Sequence, residues 1–272
     1  MSLVSQHAMF RDAQRVGYAL GSFNVVSLEM TYGVIDAAEE LRSPVIVAVT
    51  DGHRDYYDFR ALADGICAAA DAASVPVGVH FDHGLTLGSI SRALKVGFTS
   101  VMYDGDGSPW QQRLDETRAV TELAHGVDAL VEGALSAQSR EMTGNPTGDW
   151  ALPPDDLVEE FLSATSVDIL AIGEGTTALD PARVSAIANI PGVFSSLHGG
   201  SQLPDETLAS MIGAGLGKCS VYNKIARQSM ASAADYIQGG GQDLLQLGVA
   251  IRTGFAAGVA KELQRMGSAG HA

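Results

Sequence analysis

VIVAVTDGHRDYYDFRALADGICAAADAASVPVGVHFD, residues 45–82, holds two short runs of apolar, mostly β-branched residues with a longer alanine-rich stretch between them. The runs Val45–Thr50 and Val77–Asp82 have the length and composition of strands, and Tyr57–Ala73 has the amphipathic pattern of a helix. The strand runs are apolar at nearly every position, which is typical of parallel strands covered on both faces. The stretch therefore predicts one strand–helix–strand unit.

The same alternation continues in both directions along the chain. The eight strand runs are Phe23–Ser27, Val45–Thr50, Val77–Asp82, Ser100–Asp104, Ala129–Leu135, Ile169–Gly173, Val193–Gly199 and Lys218–Asn223. The helix candidates are Glu29–Glu40, Tyr57–Ala73, Leu87–Val96, Trp110–His125, Asp155–Thr165, Pro181–Asn189, Asp205–Gly213 and a long tail from Ile225. Eight such units predict an α/β fold, a (β/α)₈ TIM barrel, with a doubly wound open sheet as the alternative.

Residues 1–272 are predicted to form a single domain, with a C-terminal helical extension at about 224–268 whose final helix is Leu244–Arg265. The long irregular connection after the fifth strand, residues 136–154, is typical of a lid or of a disordered segment. The apolar face expected on the terminal helices favours a homodimer or homotetramer.

Composition excludes several classes of partner. The chain carries 32 Asp and Glu against 17 Lys and Arg, a net charge of −15, which opposes binding to nucleic acid or to an anionic membrane surface. Its two cysteines do not suggest a disulfide framework, and the N-terminus lacks the order of a signal peptide. A cytoplasmic protein with small-molecule partners is predicted.

Polar side chains collect where the predicted strands end, which in a TIM barrel is the face that carries the chemistry. They are Asn24, Ser27, Thr50, Asp51, Asp82, His83, Tyr103, Asp104, Glu132, Glu174, His198–Ser201, Ser220 and Asn223. Several carboxylates and imidazoles on one face repel or lie unpaired unless a cation lies among them, and these ligand types suit a divalent metal. A metal site at this face is therefore predicted.

The densest motif is His80-Phe81-Asp82-His83-Gly84 at the end of the third strand. An acid beside a histidine allows the imidazole to bind a metal while the carboxylate moves a proton on the substrate. The alternative is that Asp82 caps the following helix and His83 is merely solvated. For His80, inside the strand, an interior histidine with satisfied hydrogen bonds is the favoured interpretation.

From Gly21 to Asn223 the chain resembles the class II, metal-dependent ketose-bisphosphate aldolases, the family of fructose- and tagatose-bisphosphate aldolases. The resemblance rests on the segments GSFNVVSLEM, SPVIVAVTDG, VGVHFDHG, SVMYDGDGSPWQQRLDETRAV, ALVEGAL and SLHGGSQLP, in this order. It implies reversible aldol cleavage of a ketose phosphate, or of a related polyhydroxy ketone, through a metal-stabilised enediolate.

The resemblance also implies roles by position. Asp82 corresponds to the acid/base, and His83 and His198 correspond to zinc ligands. Asp104 corresponds to an acid at a second metal position, and Glu132 to the first acid of the family's fifth-strand pair, predicted here as a second catalytic group. The implied substrate and phosphate contacts are Asn24, Thr50, Gly199, Gly200, Ser201, Ser220 and Asn223.

Some family residues are missing. No histidine lies between His125 and His198. The position of the family's third histidine ligand is therefore occupied by Thr176 or Ala178, whichever way the segment is aligned. Ala134 stands where the family has the second acid of its fifth strand. The family's Asn-Val-x-Thr is replaced by Ser-Val-Tyr-Asn at 220–223. These changes favour a substrate other than an ordinary sugar bisphosphate, such as a monophosphate.

Two repairs of the ligand set are conceivable. Glu174 offers a carboxylate from the end of the sixth strand and is favoured as a metal ligand over His53, which follows the second strand.

Two other functions stay open. One is a Schiff-base aldolase using Lys218, which is disfavoured because Lys218 begins its strand at the wrong face, and the other is a sugar-phosphate-binding protein without metal.

Overall fold

The computed structural model describes residues 4–53, 55–105, 108–135, 154–174 and 179–272, and for Glu174 it describes the backbone alone. The strands are β1 (Leu20–Asn24), β2 (Val45–Thr50), β3 (Val77–Gly84), β4 (Ser100–Tyr103), β5 (Leu130–Ala134), β6 (Ile169–Glu174), β7 (Phe194–His198) and β8 (Lys218–Val221). The helices are α1 (Gln6–Val16), α2 (Leu28–Glu40), α3 (Phe59–Ala72), α4 (Leu87–Val96), α5 (Trp110–His125), α6 (Asp155–Thr165), α7 (Pro181–Ala188), α8 (Asp205–Gly213), α9 (Asn223–Gln238) and α10 (Leu244–Arg265). Short 3₁₀ turns cover Asp51–His53 and Gly200–Gln202.

The eight strands form a closed barrel in sequence order, and β8 pairs with β1 in parallel. The predicted TIM barrel is therefore confirmed, and the open sheet is wrong. A strand's side chains alternate between the two faces, so one set packs against the helices and the other fills the barrel. In β2, Val45, Val47 and Val49 belong to the large core beneath the helices, while Ile46 points inward.

The barrel has an apolar floor at the amino ends of its strands. Leu20, Ile46, Leu130, Ile169 and Phe194 form this floor together with Met9, Phe10 and Ala13 of α1. Phe10 stacks on Phe194 with ring centroids 4.8 Å apart. Helix α1, which the sequence analysis did not predict, thus closes the end of the barrel opposite the polar strand ends.

Local details differ from the sequence prediction. The first strand covers Leu20–Asn24 rather than Phe23–Ser27, because the Ser27 hydroxyl accepts the Met30 N–H and so caps α2. The capping alternative for Asp82 is wrong, because Thr86 caps α4 in a capping box with Ser89.

Most of the connection after β5, residues 136–153, lies outside the described residues, as do Thr176 and Ala178. The lid prediction therefore stays a prediction. Among the described residues, no helix is long and apolar enough to cross a bilayer.

Candidate active site

The carboxyl end of β3 is irregular, and the irregularity brings Asp82 and His83 together. Neighbouring residues of a regular strand point to opposite faces. Here the pairing of β3 with β4 shifts between Phe81 and Gly84, and His83 adopts a left-handed backbone with φ of 51°. Left-handed backbone is uncommon for residues other than glycine and collects at functional sites. The bulge allows both side chains to face the barrel mouth.

His198 reaches the same point from β7 and is 6% exposed. Its ring lies 5.1 Å from the His83 ring, centroid to centroid. The chain leaves β7 through Gly199, whose φ of 70° suits glycine. Gly200 packs so closely on β8 that a Cβ there would lie 2.3 Å from the Cys219 sulfur. Both glycines therefore have a structural reason to follow His198.

Asp82, His83 and His198 form a set of possible metal ligands, with one donor atom from each lying within 4.8 Å of the others. Asn24 Nδ2 donates to Asp82 Oδ2 at 2.8 Å. The other oxygen, Asp82 Oδ1, is buried and has no hydrogen-bond partner among the described residues. This oxygen lies 3.7 Å from His80 Nε2 and 4.0 Å from His198 Nδ1, and a nearby divalent cation fits it, because a buried carboxylate oxygen without a partner is costly to leave alone.

The electrostatics of the three groups support this fit. Burial alone would raise the pKa of Asp82, but His83, His80 and His198 hold it well below its usual range. Burial alone would lower the pKa of His83, but Asp82 and Asp104 raise it to about 9. The site thus carries an ionised carboxylate, and the carboxylates around His83 favour a positive charge at its ring.

Each histidine of the set also contacts a carboxylate through its second nitrogen. Asp104 Oδ2 lies 3.3 Å from His83 Nδ1, and Glu132 Oε1 lies 2.7 Å from His198 Nε2. Such contacts fix the tautomer and orientation of a metal-binding imidazole. The nitrogens left free are His83 Nε2 and His198 Nδ1.

These side chains open into a polar cavity of about 170 Å³ at the barrel mouth. Its lining comprises Asn24, Thr50, Asp82, His83, His198, Gly199, Ser201, Gln202, Ser220, Val221, Tyr222 and Asn223. Most of the predicted substrate contacts are thereby brought together with the ligand set. Gly200 is buried and is not among the lining residues, whereas Gln202 and Tyr222 line the cavity without having been predicted as site residues.

Residues 4–271 match the family model described as fructose-bisphosphate aldolase class-II. The chain belongs to that family. It is 35% identical over 225 residues to the fructose-bisphosphate aldolase of Thermus caldophilus, covering 78% of this chain and 73% of that protein. It is 33% identical over 238 residues to the D-tagatose-1,6-bisphosphate aldolase subunit GatY of Klebsiella oxytoca, covering 83% of each. The crystal structure of the YdjI aldolase from Escherichia coli K12 superposes with a TM-score of 0.87 at 27% identity, covering 99% of both chains.

The class II aldolase family depends on metal and acts on sugar bisphosphates. The resemblance stated from the sequence is confirmed. The roles of the individual site residues are taken up below as proposals.

The two candidates for a third ligand are placed differently. The Glu174 backbone pairs with that of His198, so the residue lies at the right strand end, but its side chain is outside the described residues. His53 lies on an exposed turn with its ring 6.3 Å from the Tyr222 ring. The described ligand cluster does not include His53.

Glu132 and Lys218 lie below the cavity and do not line it. Both are fully buried, and the Lys218 ammonium donates to Glu132 Oε2. The ion pair between Glu132 and Lys218 was not predicted from the sequence. The alternation of side chains along the strands could have indicated it, because it places Glu132 and Lys218 on the inner face of the barrel together with His80 and Ser196.

Proposed function

We propose that this protein is a metal-dependent aldolase that reversibly cleaves a ketose phosphate, with Asp82 as its acid/base. The observation that carries the proposal is the state of the Asp82 carboxylate. One oxygen is held by Asn24, and the other, Oδ1, is buried without a hydrogen-bond partner among the described residues, 3.7 Å from His80 Nε2 and 4.0 Å from His198 Nδ1. A carboxylate held rigidly in one orientation is suited to moving a single proton.

His83 and His198 would hold the metal, and Glu174 is proposed as a third ligand from β6. We propose Zn²⁺, because two imidazoles and a carboxylate leave an open position on that ion for substrate. When bound, the ion supplies Lewis-acid polarisation of the substrate carbonyl. Asp104 is proposed to orient His83 or to contribute to a second metal position.

Asp82 moves the proton. In the condensation direction its carboxylate removes a proton from the carbon next to the ketone of the donor, and in the cleavage direction its acid form returns that proton. Asn24 keeps Asp82 Oδ2 in place during both transfers. Glu132 was predicted as a second catalytic group, and its burial under His198 favours a role that acts through that histidine.

A phosphate is proposed to bind where β7 and β8 end. Gly199 and Ser201 of the turn after β7 and Asn223 at the start of α9 line the cavity, and turns and helix N-termini of this kind often bind an anion through backbone N–H groups. Ser201 Oγ accepts the Lys224 N–H at 3.4 Å, which links the two segments. Thr50 and Ser220 are proposed as further contacts. Because Ser220 and Asn223 replace the family's residues, we propose a monophosphate or another unusual donor.

The test combines metal analysis with proton exchange. We expect protein purified without chelator to hold a divalent ion and to exchange a hydrogen of dihydroxyacetone phosphate or dihydroxyacetone with solvent, measured by NMR in D₂O. Asp82→Asn keeps the shape of the strand end but removes the base, so exchange and turnover should both fall by roughly 10²- to 10⁴-fold. Asp58→Asn is the matched control, because Asp58 only caps α3 and asparagine caps equally well.

Absence of exchange with every ketone, in protein that holds metal, would contradict the aldolase and favour the sugar-phosphate-binding protein. Exchange that survives in Asp82→Asn would assign the base to another residue. For the whole protein we propose a cytoplasmic location and a homodimer or homotetramer.

A further inference from the structure

A layer of charged and polar side chains lies inside the barrel between the apolar floor and the candidate active site. Its members are His80, Ser100, Glu132, Ser196 and Lys218, each at most 1% exposed. Buried charges are costly and persist only where they are paired and hydrogen-bonded. Lys218 has no role in the proposed function, although it is fully buried in this layer.

Lys218 compensates the charge of Glu132. Its ammonium donates to Glu132 Oε2, and its Nζ lies 3.3 Å from His80 Nε2. His80 Nε2 also lies 3.4 Å from Glu132 Oε2 and 3.7 Å from Asp82 Oδ1, and His80 Nδ1 lies 2.6 Å from Ser100 Oγ. The fully buried Glu132 carboxylate is thus paired with a buried ammonium.

Glu132 in turn fixes His198. Its Oε1 accepts from His198 Nε2 at 2.7 Å and also accepts from the Ser196 hydroxyl. With the hydrogen on Nε2, the lone pair of His198 lies on Nδ1. That nitrogen lies 4.0 Å from Asp82 Oδ1, on the side of the ligand set.

We propose that Lys218 is a positioning residue for the metal site, acting through Glu132 to hold His198 in the tautomer and orientation that present Nδ1 to the metal. Lys218 touches neither the cavity nor the ligand set, so it is not a catalytic residue. The inference rests on the proposed function in one respect, that His198 binds a metal.

The first experiment measures metal affinity. Lys218→Met removes the charge and keeps the length of the side chain, and we expect Co²⁺ to bind 10- to 100-fold more weakly, roughly the loss seen when the outer partner of a ligand is removed. Affinity is measured by competition with a chromophoric chelator, and the visible Co²⁺ spectrum should change because the ligand geometry changes. Lys218→Met leaves a buried unpaired carboxylate, so this variant can fail to fold.

The double variant Lys218→Met/Glu132→Gln avoids that failure, because it removes both charges and keeps an amide in place of the carboxylate. We expect it to fold, as judged by circular dichroism, and still to bind Co²⁺ at least about 10-fold more weakly, because an amide oxygen is a weaker acceptor for the His198 N–H than a carboxylate. Lys224→Met is the matched control. It also breaks a pair between a lysine and a buried glutamate, Lys224 Nζ to Glu262 Oε1 at 2.8 Å, but in the C-terminal helices.

A second measurement does not require a variant. Two-bond ¹H–¹⁵N spectra of histidine-labelled wild-type protein should show the hydrogen of His198 on Nε2, both without metal and with Zn²⁺ bound. A hydrogen on Nδ1 would overturn the proposal, as would a double variant with wild-type Co²⁺ affinity and spectrum. Wild-type protein that binds no metal would overturn the proposed function together with this inference, whereas metal binding that is insensitive to both substitutions would overturn this inference alone.

Discussion

His83 combines two properties that rarely occur in one residue, a left-handed backbone and an imidazole with a raised pKa. The backbone, with φ of 51°, turns the ring towards Asp82, and Asp104 contacts it from the other side. Burial alone would lower the pKa of His83, and the two carboxylates raise it to about 9. In the absence of metal the His83 ring is therefore expected to carry a positive charge at neutral pH.

The raised pKa of His83 predicts how the stability of the metal-free protein depends on pH. Since the unfolded pKa is about 6.5, the stabilising contribution is complete below about pH 6.5 and is lost as the pH rises through about 9. We expect the free energy of unfolding of chelator-treated protein to fall over this range, measured by urea titration. His83→Asn, with a residue that tolerates left-handed backbone, should lose this dependence. Parallel pH profiles for the two proteins would contradict the prediction.

At the scale of the element, the irregular end of β3 depends on a close approach at Gly84. A Cβ at this position would lie 2.4 Å from Ile90 Cδ1 and 2.8 Å from the Met102 carbonyl oxygen. The Ile90 methyl can move, but the backbone of β4 cannot do so without disturbing the barrel. Gly84 thus allows β3 to stay against β4 where the pairing shifts and His83 turns inward.

Gly84→Ala should lower the free energy of unfolding by about 1–3 kcal/mol, the usual effect of overpacking, and should weaken metal binding because β3 shifts at His83. Gly88→Ala is the control. Its Cβ would meet only Thr86 Oγ1 at 3.7 Å, and alanine in helix α4 should stabilise by up to about 1 kcal/mol. Chemical unfolding and a Co²⁺ titration report the two effects. Equal stability of the two variants would mean that β4 adapts freely.

At the scale of the whole molecule, the C-terminal helices pack on the barrel and present apolar residues outward. Arg252 of α10 forms an ion pair with Asp36 of α2 at 2.5 Å, and a Cβ at Gly33 would lie 2.9 Å from the Arg252 carbonyl oxygen. Leu244 and Leu245, at the start of α10, are 82% and 73% exposed. Together with Leu28, Tyr32 and Val249 they line one groove.

We expect this groove to lie in the interface of the proposed oligomer, because a contiguous apolar surface of this kind is usually covered by a partner. Leu244→Glu/Leu245→Glu should shift the mass measured by analytical ultracentrifugation towards the monomer. Leu123→Glu is the control, since Leu123 of α5 is also exposed, at 49%, but lies outside the groove. An unchanged mass in the double variant would place the interface elsewhere.

The sequence by itself determined the alternation of strands and helices and the strand ends at which Asp82, His83 and His198 lie. These features are local, because apolar periodicity and glycine or capping residues report on neighbours along the chain. Helix bounds such as Trp110–His125 and Asp155–Thr165 agree with the structure for this reason. The first strand was placed three residues late because Val25 and Val26 extend the apolar run past the true strand end at Asn24.

Only the tertiary structure decided how Asp82 and His83 share one face and what Lys218 contacts. The first depends on a shift in the pairing of β3 with β4, which no spacing within β3 encodes. The second joins residues 86 positions apart, Lys218 at the beginning of β8 and Glu132 in the middle of β5. Strands in a closed barrel are staggered, so a side chain at the amino end of one strand can meet the middle of another. The charge pairs inside the barrel therefore follow from closure and register, which are properties of all eight strands together.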